Sequence, residues 1–269
     1  PCVIRAHGSE TDEKLMRGLK PNRLTKLLES MSYRRVEAAS AISNYAKLAA
    51  ERSFRPQKPL VTIHYGIPFI ESVPVARESN TVAFAGTLGV KKGVIQLVEA
   101  TALLYKKGII LKLHLYGKDT LYNGGKMSEH LLSIMPEGMA KNVTFFGHVT
   151  REQTFDAYKT CTFAVFPSHW ESFGLTPIEA MMFRCPVIHT TIPTGFELID
   201  NDENGILVDP YNVNELAEKM ELLLNNPELR NKLGEKAILK VKTSFTIDTM
   251  CNKLIAFYSN TITIFKSGK

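Results

Sequence analysis

The sequence predicts an α/β protein built on a doubly wound parallel sheet, and three observations lead there. Short apolar runs alternate with amphipathic segments along most of the 269 residues, the rhythm of strands joined by crossover helices. The runs are apolar throughout rather than alternating with polar residues, as parallel strands covered by helices on both faces must be. The intervening segments repeat their apolar residues at helical spacing, as Val94, Leu97, Val98, Thr101, Ala102 and Tyr105 do.

Taken in order, Val3 to Ala6 is a first strand, followed by helical sequence through Val36. Ala41-Ile42-Ser43 is a second short strand, Tyr45 to Arg52 a helix and Val61 to His64 a third strand. From Pro68 to Asn80 the chain is turn-rich and weakly patterned, which predicts a domain boundary near residue 70. Beyond it, strands are expected at Thr81–Ala85, Leu111–Tyr116, Val143–Phe146, Cys161–Phe166, Pro186–His189 and Ile206–Val208. A later helix carries Val213, Leu216, Ala217, Met220 and Leu224 on one face. The last helix, Ile247 to Ser259, lies beyond the sheet. The expected division is 1–70, 71–245, and 246–269 as a helix packing back toward the first part.

Composition is that of an ordinary globular chain, 44% hydrophobic and 22% charged. No apolar run reaches the roughly 18–20 residues needed to cross a bilayer. Pro1 to His7 reads as a strand, not as a signal peptide; the chain opens without methionine and in mid-pattern, so we expect a piece of a longer protein. The four cysteines, Cys2, Cys161, Cys185 and Cys251, lack metal-ligand spacing; three of them open or lie within strand-like apolar segments, so buried free thiols of a reducing compartment are expected. Asn142-Val143-Thr144 matches a glycosylation acceptor by chance, because it opens a strand.

A doubly wound sheet holds its ligand outside the strand carboxyl ends, so the strand-to-helix loops are where chemistry is sought. The most informative runs from Pro167 to Ala180, with Glu171, Phe173, Gly174, Leu175, Pro177 and Glu179. A buried strand ends at Phe166, and a helix starts near Thr176 with Pro177 suited to its first turn. Gly174 lets backbone approach a ligand. The free amides of the helix start carry about half a positive charge and suit a phosphate. Glu179, one turn in, is placed to accept both hydroxyls of a ribose diol, and Glu171 to face another part of the same ligand.

Two glutamates enclosing Phe173-Gly174-Leu175 and a proline resemble the signature of the group 1 (family 4) glycosyltransferases. The likeness continues through Pro186-Val187-Ile188, Pro193 to Ile199 and Asn204 to Pro210, covering roughly Thr81 to Lys242. It implies the GT-B fold: a Rossmann-like donor-binding domain here, with an incomplete second Rossmann-like domain, the acceptor-binding one, at 1–70. It also implies sugar transfer from a nucleotide-sugar with retention at the anomeric carbon, and no bound metal or cofactor. Carried over, Glu179 holds the ribose, and Glu171 with the Phe173-Gly174-Leu175 backbone holds sugar and phosphate. In the loop Gly86 to Gly93, Lys92 matches the lysine that neutralises the diphosphate. Thr87 stands where an arginine is often found, leaving Lys91 as its substitute. His7 resembles a histidine that reaches the donor sugar, although a histidine at a strand end is equally a structural hydrogen bonder. Tyr65-Gly66-Ile67-Pro68 resembles the turn at the domain junction, from which Tyr65 and Pro68 depart.

The remaining readings limit the alternatives. The Gly86 to Gly93 loop has neither the Gly-x-Gly-x-x-Gly of dinucleotide enzymes nor a P-loop ending. Asp200-Asn201-Asp202 imitates a metal-binding Asp-x-Asp but sits in a polar loop and is read as a turn. The net charge of +6 permits an anionic partner; without a basic-aromatic stripe, nucleic acid is not expected. The partners expected are a nucleotide-sugar, a saccharide or lipid-linked acceptor, and peripheral contact with the inner face of a membrane, in a cytoplasmic enzyme. The basic stretch Lys14, Arg17, Lys20, Arg23, Lys26, Arg34 and Arg35 is read as a solvated helical face in preference to a membrane-facing one. The competing function is a catalytically silent nucleotide-sugar-binding domain.

Overall fold

The computed structural model describes residues 1–9, 11, 14 and 19–267; Arg17 of the basic stretch lies outside them. The chain divides into two compact units, Pro1–Pro68 with Thr243–Lys269, and Phe69–Lys242.

The first unit holds a three-stranded parallel sheet, β1 (Val3–Ala6), β2 (Ala38–Ala41) and β3 (Val61–Thr62), in that order. Helix Arg23–Arg34 starts where the Asn22 side chain accepts the Leu24 amide at 2.9 Å, and helix Asn44–Phe54 where Ser43 accepts the Ala46 amide at 3.0 Å. The second strand therefore ends two residues earlier than its sequence suggests. Ser43 is the helix cap, and the small residues Ala38 to Ala41 form the ladder. Tyr33 and Phe54 stack with ring centroids 4.9 Å apart, joining the two helices. Helix Ile247–Ser267 begins against Ile67, whose amide donates to the Phe245 carbonyl at 2.8 Å.

The second unit is a six-stranded, wholly parallel sheet. Its strands are β4 (Thr81–Ala85), β5 (Lys112–Tyr116), β8 (Val143–Gly147), β9 (Phe163–Phe166), β10 (Val187–Thr190) and β11 (Ile206–Val208). The spatial order is β11-β10-β9-β4-β5-β8, the doubly wound Rossmann order, which reverses direction between β4 and β9. Helices Val94–Lys106 and Val213–Asn225 cover one face, where Val94, Leu97, Val98, Leu113, Leu115, Leu216 and Met220 meet in one core. A small antiparallel pair, β6 (Leu121–Tyr122) with β7 (Gly125–Lys126), and helix Pro227–Ser244 were not expected.

Two readings need correction. Strand β8 alternates between half-buried and exposed residues because it closes the edge of the sheet, so its strand is not apolar on both faces. Of the cysteines, Cys161 and Cys185 are buried free thiols 3.4 Å apart, but Cys2 and Cys251 are exposed. Cys2 precedes an edge strand, and Cys251 lies on an outward helix face. Among the described residues no helix is long and apolar enough to cross a membrane.

Candidate functional site

The sheet reverses its winding between β4 and β9, and the loops leaving those two strands are the two that stood out in the sequence. They touch. The His169 amide donates to the Lys91 carbonyl at 2.9 Å, and Gly93, with φ 68°, lies so near the second loop that a Cβ there would come within 1.8 Å of the Pro167 carbonyl oxygen. Only glycine allows that approach. The first loop is closed by the Gly86 amide donating to Tyr116 at 2.9 Å and by the short turn Val90–Lys92, leaving Thr87 and Lys91 exposed.

Close approach of the loops brings together charges 79 residues apart. The Lys92 ammonium forms an ion pair with Glu171 Oε1, which also accepts the Ser168 hydroxyl at 3.0 Å. Their side chains are 29% and 16% exposed, so the pair is screened less than a surface one. The Lys91 ammonium sits 3.7 Å from the centroid of the Trp170 ring, a cation–π contact. His169 is bound to Gln96 at 3.0 Å and packs on Tyr211.

Immediately beyond Glu171 the helix Leu175–Met182 begins. Its cap is Gly174, at φ 101° and with no side-chain hydrogen bond, so no capping side chain occupies the first-turn amides. Phe173 and Ile178 are buried and anchor the start, while Leu175 is 41% exposed. Behind Gly174 lies His189, fully buried, with Nδ1 2.7 Å from the Phe166 carbonyl. Burial holds its imidazole below the usual pKa, so Nδ1–H donates and Nε2 is left without a partner among the described residues.

One turn into the helix, Glu179 has a cationic partner that the sequence reading did not name. Arg151 donates to its Oε1 from Nε at 3.0 Å and Nη2 at 2.7 Å. Burial raises the Glu179 pKa, and Arg151 opposes that rise. Arg151 is the first residue of helix Arg151–Thr160, whose start is capped by Thr150 and Gln153. A cation in a first helical turn opposes the helix dipole, the one trace of this partner visible in the sequence.

The structure thus gathers Gly86, Thr87, Lys91, Lys92, Glu171, Phe173 and Gly174 on two adjoining loops of the second unit, with Leu175 and Glu179 in the first turns of the helix that the second loop leads into. His7 belongs to the first unit. Its Nδ1 is hydrogen-bonded to the Tyr65 hydroxyl, and partial burial first, then Arg5, lowers its pKa. Asp200 and Asp202 form a turn: the Asp200 carboxylate takes Asn204 at 2.7 Å and Lys240 at 2.8 Å, and Asp202 adopts φ 62°.

Fold and site together define a doubly wound α/β domain with uncapped helix amides and paired charges at its switch point. The chain belongs to the glycosyl transferases group 1, whose family model matches residues 68–240. Capsular polysaccharide biosynthesis glycosyltransferase CapM of Staphylococcus aureus is 28% identical over 192 residues, 71% of this chain and 49% of CapM. O-antigen chain mannosyltransferase C of Escherichia coli is 27% identical over 252 residues, 90% of this chain and 66% of the relative. The chain therefore matches about half of the length of CapM and about two thirds of that of the mannosyltransferase. Among solved structures, HepE of Anabaena in complex with UDP aligns with TM-score 0.82 at 18% identity, covering 97% of this chain and 72% of HepE. TarM aligns with TM-score 0.79 at 20% identity, covering 94% of this chain and 49% of TarM. These likenesses give the GT-B glycosyltransferase fold.

Proposed function

We propose that this protein transfers a sugar from a nucleotide-sugar to a hydroxyl acceptor in polysaccharide or glycolipid synthesis, with retention and without a metal. The observation that supports this most directly is the uncapped start of helix Leu175–Met182 beside the Lys92–Glu171 pair. A diphosphate placed there receives the helix amides on one side and the Lys92 ammonium on the other. Binding then separates the resting ion pair: Lys92 turns to phosphate and Glu171 to the sugar hydroxyls. Glu179, steadied by Arg151, accepts the ribose hydroxyls. The bond from the anomeric carbon to the phosphate oxygen breaks as the acceptor oxygen bonds to the same face, and the acceptor proton leaves with the phosphate. Lys91, held on Trp170, guards the loop instead of replacing the arginine absent at Thr87. A cytoplasmic setting belongs to the same proposal.

HepE and TarM have been crystallised with UDP, which makes UDP the first nucleotide to titrate. Calorimetry is expected to give saturable binding, and a transfer assay a rate that a chelator leaves unchanged. Loss of activity with chelator, restored by a divalent cation, would remove the metal-free part. The second reading is a silent nucleotide-sugar-binding domain; UDP binding with neither transfer nor donor hydrolysis would establish it.

Glu179→Gln is expected to weaken nucleotide binding by on the order of tenfold, about 1.4 kcal/mol, since a neutral amide accepts hydroxyl hydrogen bonds less strongly than a carboxylate. The pKa of Glu179 is raised chiefly by burial. Its charged form, and with it nucleotide affinity, is therefore lost as pH falls through a window above the ordinary carboxylate range. The glutamine variant should lack that step. An identical pH profile in both proteins rules out the ribose assignment.

A further inference from the structure

At the amino ends of strands β4 and β10 lies a cavity from which we infer a second anion site, for a compact phosphate-bearing ligand. The cavity measures about 340 Å³, at the lower end for ligand pockets. It lies wholly within the second unit and within the stretch that the family model matches. The proposed donor site is elsewhere, at the carboxyl ends of the same sheet. Three arginines line the cavity: Arg77 ahead of β4, Arg184 ahead of β10 and Arg230 at the start of helix Pro227–Ser244. Lys159 is a fourth cation, and Glu235 is the one carboxylate among the described lining residues.

Two of the arginines are held where their position is disfavoured. Arg230 stands in the opening turn of a helix, against the dipole, and burial, then the Arg77 charge, lowers its pKa. Arg184 follows helix Leu175–Met182 at φ 55°, the left-handed conformation in which glycine is the usual residue. Like charges around one cavity repel unless an anion joins them. The Glu235 carboxylate does little of that: its side chain is 66% exposed, and its 2.9 Å approach to Arg184 Nε is not aligned as a hydrogen bond. Nor do structural contacts use up the guanidiniums, each of which carries five N–H groups in a rigid fork. Arg230 gives Nη1 to the Leu223 and Leu224 carbonyls, and Arg184 gives Nη1 to the Ser72 carbonyl at 3.0 Å. Nη2 of both, and Nε of Arg230, make no hydrogen bond among the described residues. Forks anchored at one edge and open at the other match phosphoryl oxygens in pairs. Lys159 is already engaged with Asp156 at 2.8 Å and with the Phe183 ring, so the arginines carry the binding.

The inference does not rest on sugar transfer and is read without turnover. Inorganic pyrophosphate and glucose 6-phosphate are titrated separately by calorimetry, which distinguishes a free diphosphate from a sugar-borne phosphate. The Lys92→Ala protein is used beside the wild type, because the donor loops also suit a diphosphate. Saturable binding of at least one of the two anions is expected to survive in Lys92→Ala, and to raise the melting temperature as the anion is added. In that background Arg184→Gln should weaken binding by about tenfold or more. Asn231→Glu is the second variant: Asn231 lines the cavity and is exposed, so a carboxylate there meets the arginines without disturbing the core. It should abolish binding with an unchanged melting temperature. Binding of neither anion overturns the inference. So does binding that Lys92→Ala removes, which would assign it to the donor loops, or binding that Asn231→Glu leaves intact.

Discussion

Replacing Arg77 with alanine is expected to lower the stability of the second unit by about 4 kcal/mol, the largest single effect we foresee away from the charged loops. Arg77 lies in the irregular stretch ahead of β4, yet its Nη1 donates to the carbonyls of Tyr158 at 2.9 Å, Lys159 at 3.2 Å and Cys161 at 2.9 Å, and its Nη2 to Phe183 at 3.0 Å. Those carbonyls end the helices Arg151–Thr160 and Leu175–Met182. The last carbonyls of a helix have no partner of their own and carry its partial negative charge, so one guanidinium satisfies two helix ends at once. Alanine leaves several part-buried acceptors unpaired. Lysine, a point charge without the planar fork, should recover only part of the loss. Denaturant midpoints at constant slope measure it, and a change below about 1 kcal/mol would show that water replaces the guanidinium adequately. The two helices held this way also carry Arg151 and Glu179, so nucleotide affinity should weaken in parallel.

The second large effect is on the proposed transfer. Lys92→Ala is expected to reduce kcat by roughly 10²–10³, the range found when one donor to a developing anion is removed. Two losses combine. The departing diphosphate no longer meets the ammonium, and Glu171 keeps a partly buried carboxylate that has lost its cation and retains the Ser168 hydroxyl. Lys91→Ala should cost far less, because the Lys91 ammonium is already engaged with Trp170. Glu171→Ala should reduce transfer more than UDP affinity, since it is assigned to the sugar. Rates measured at saturating donor, beside UDP titrations, separate these outcomes; similar losses for the two lysines would dismantle the division of labour between them.

Much of this site was legible along the chain because its determinants are local. Gly174 before Leu175 and Pro177, after the apolar run ending at Phe166, announces a strand, a turn and a helix start, and all three are observed. Alternating apolar runs were enough for the strands, with Thr81–Ala85 and Ile206–Val208 matching to the residue. The second strand slipped because Ala41-Ile42-Ser43 is apolar enough for a ladder while Ser43 is also a good helix cap, and the cap prevailed. Partnerships were not legible. Arg151 and Glu179 are 28 residues apart, and Lys92 and Glu171 are 79 apart; nothing in either neighbourhood selects the other.

The order of apolar and polar residues by itself determined a doubly wound α/β chain and the loops where its chemistry must sit, because periodicity and turn chemistry act over a few residues. Tertiary structure alone decided that the Gly86–Gly93 and Pro167–Gly174 loops touch, that each site glutamate rests against a cation, that Arg77 ends two helices, and that Arg77, Arg184 and Arg230 line one cavity. Each of these depends on which strands lie side by side and which face of a helix meets them. That choice is made by packing across the whole sheet, where residues far apart in sequence compete for the same space.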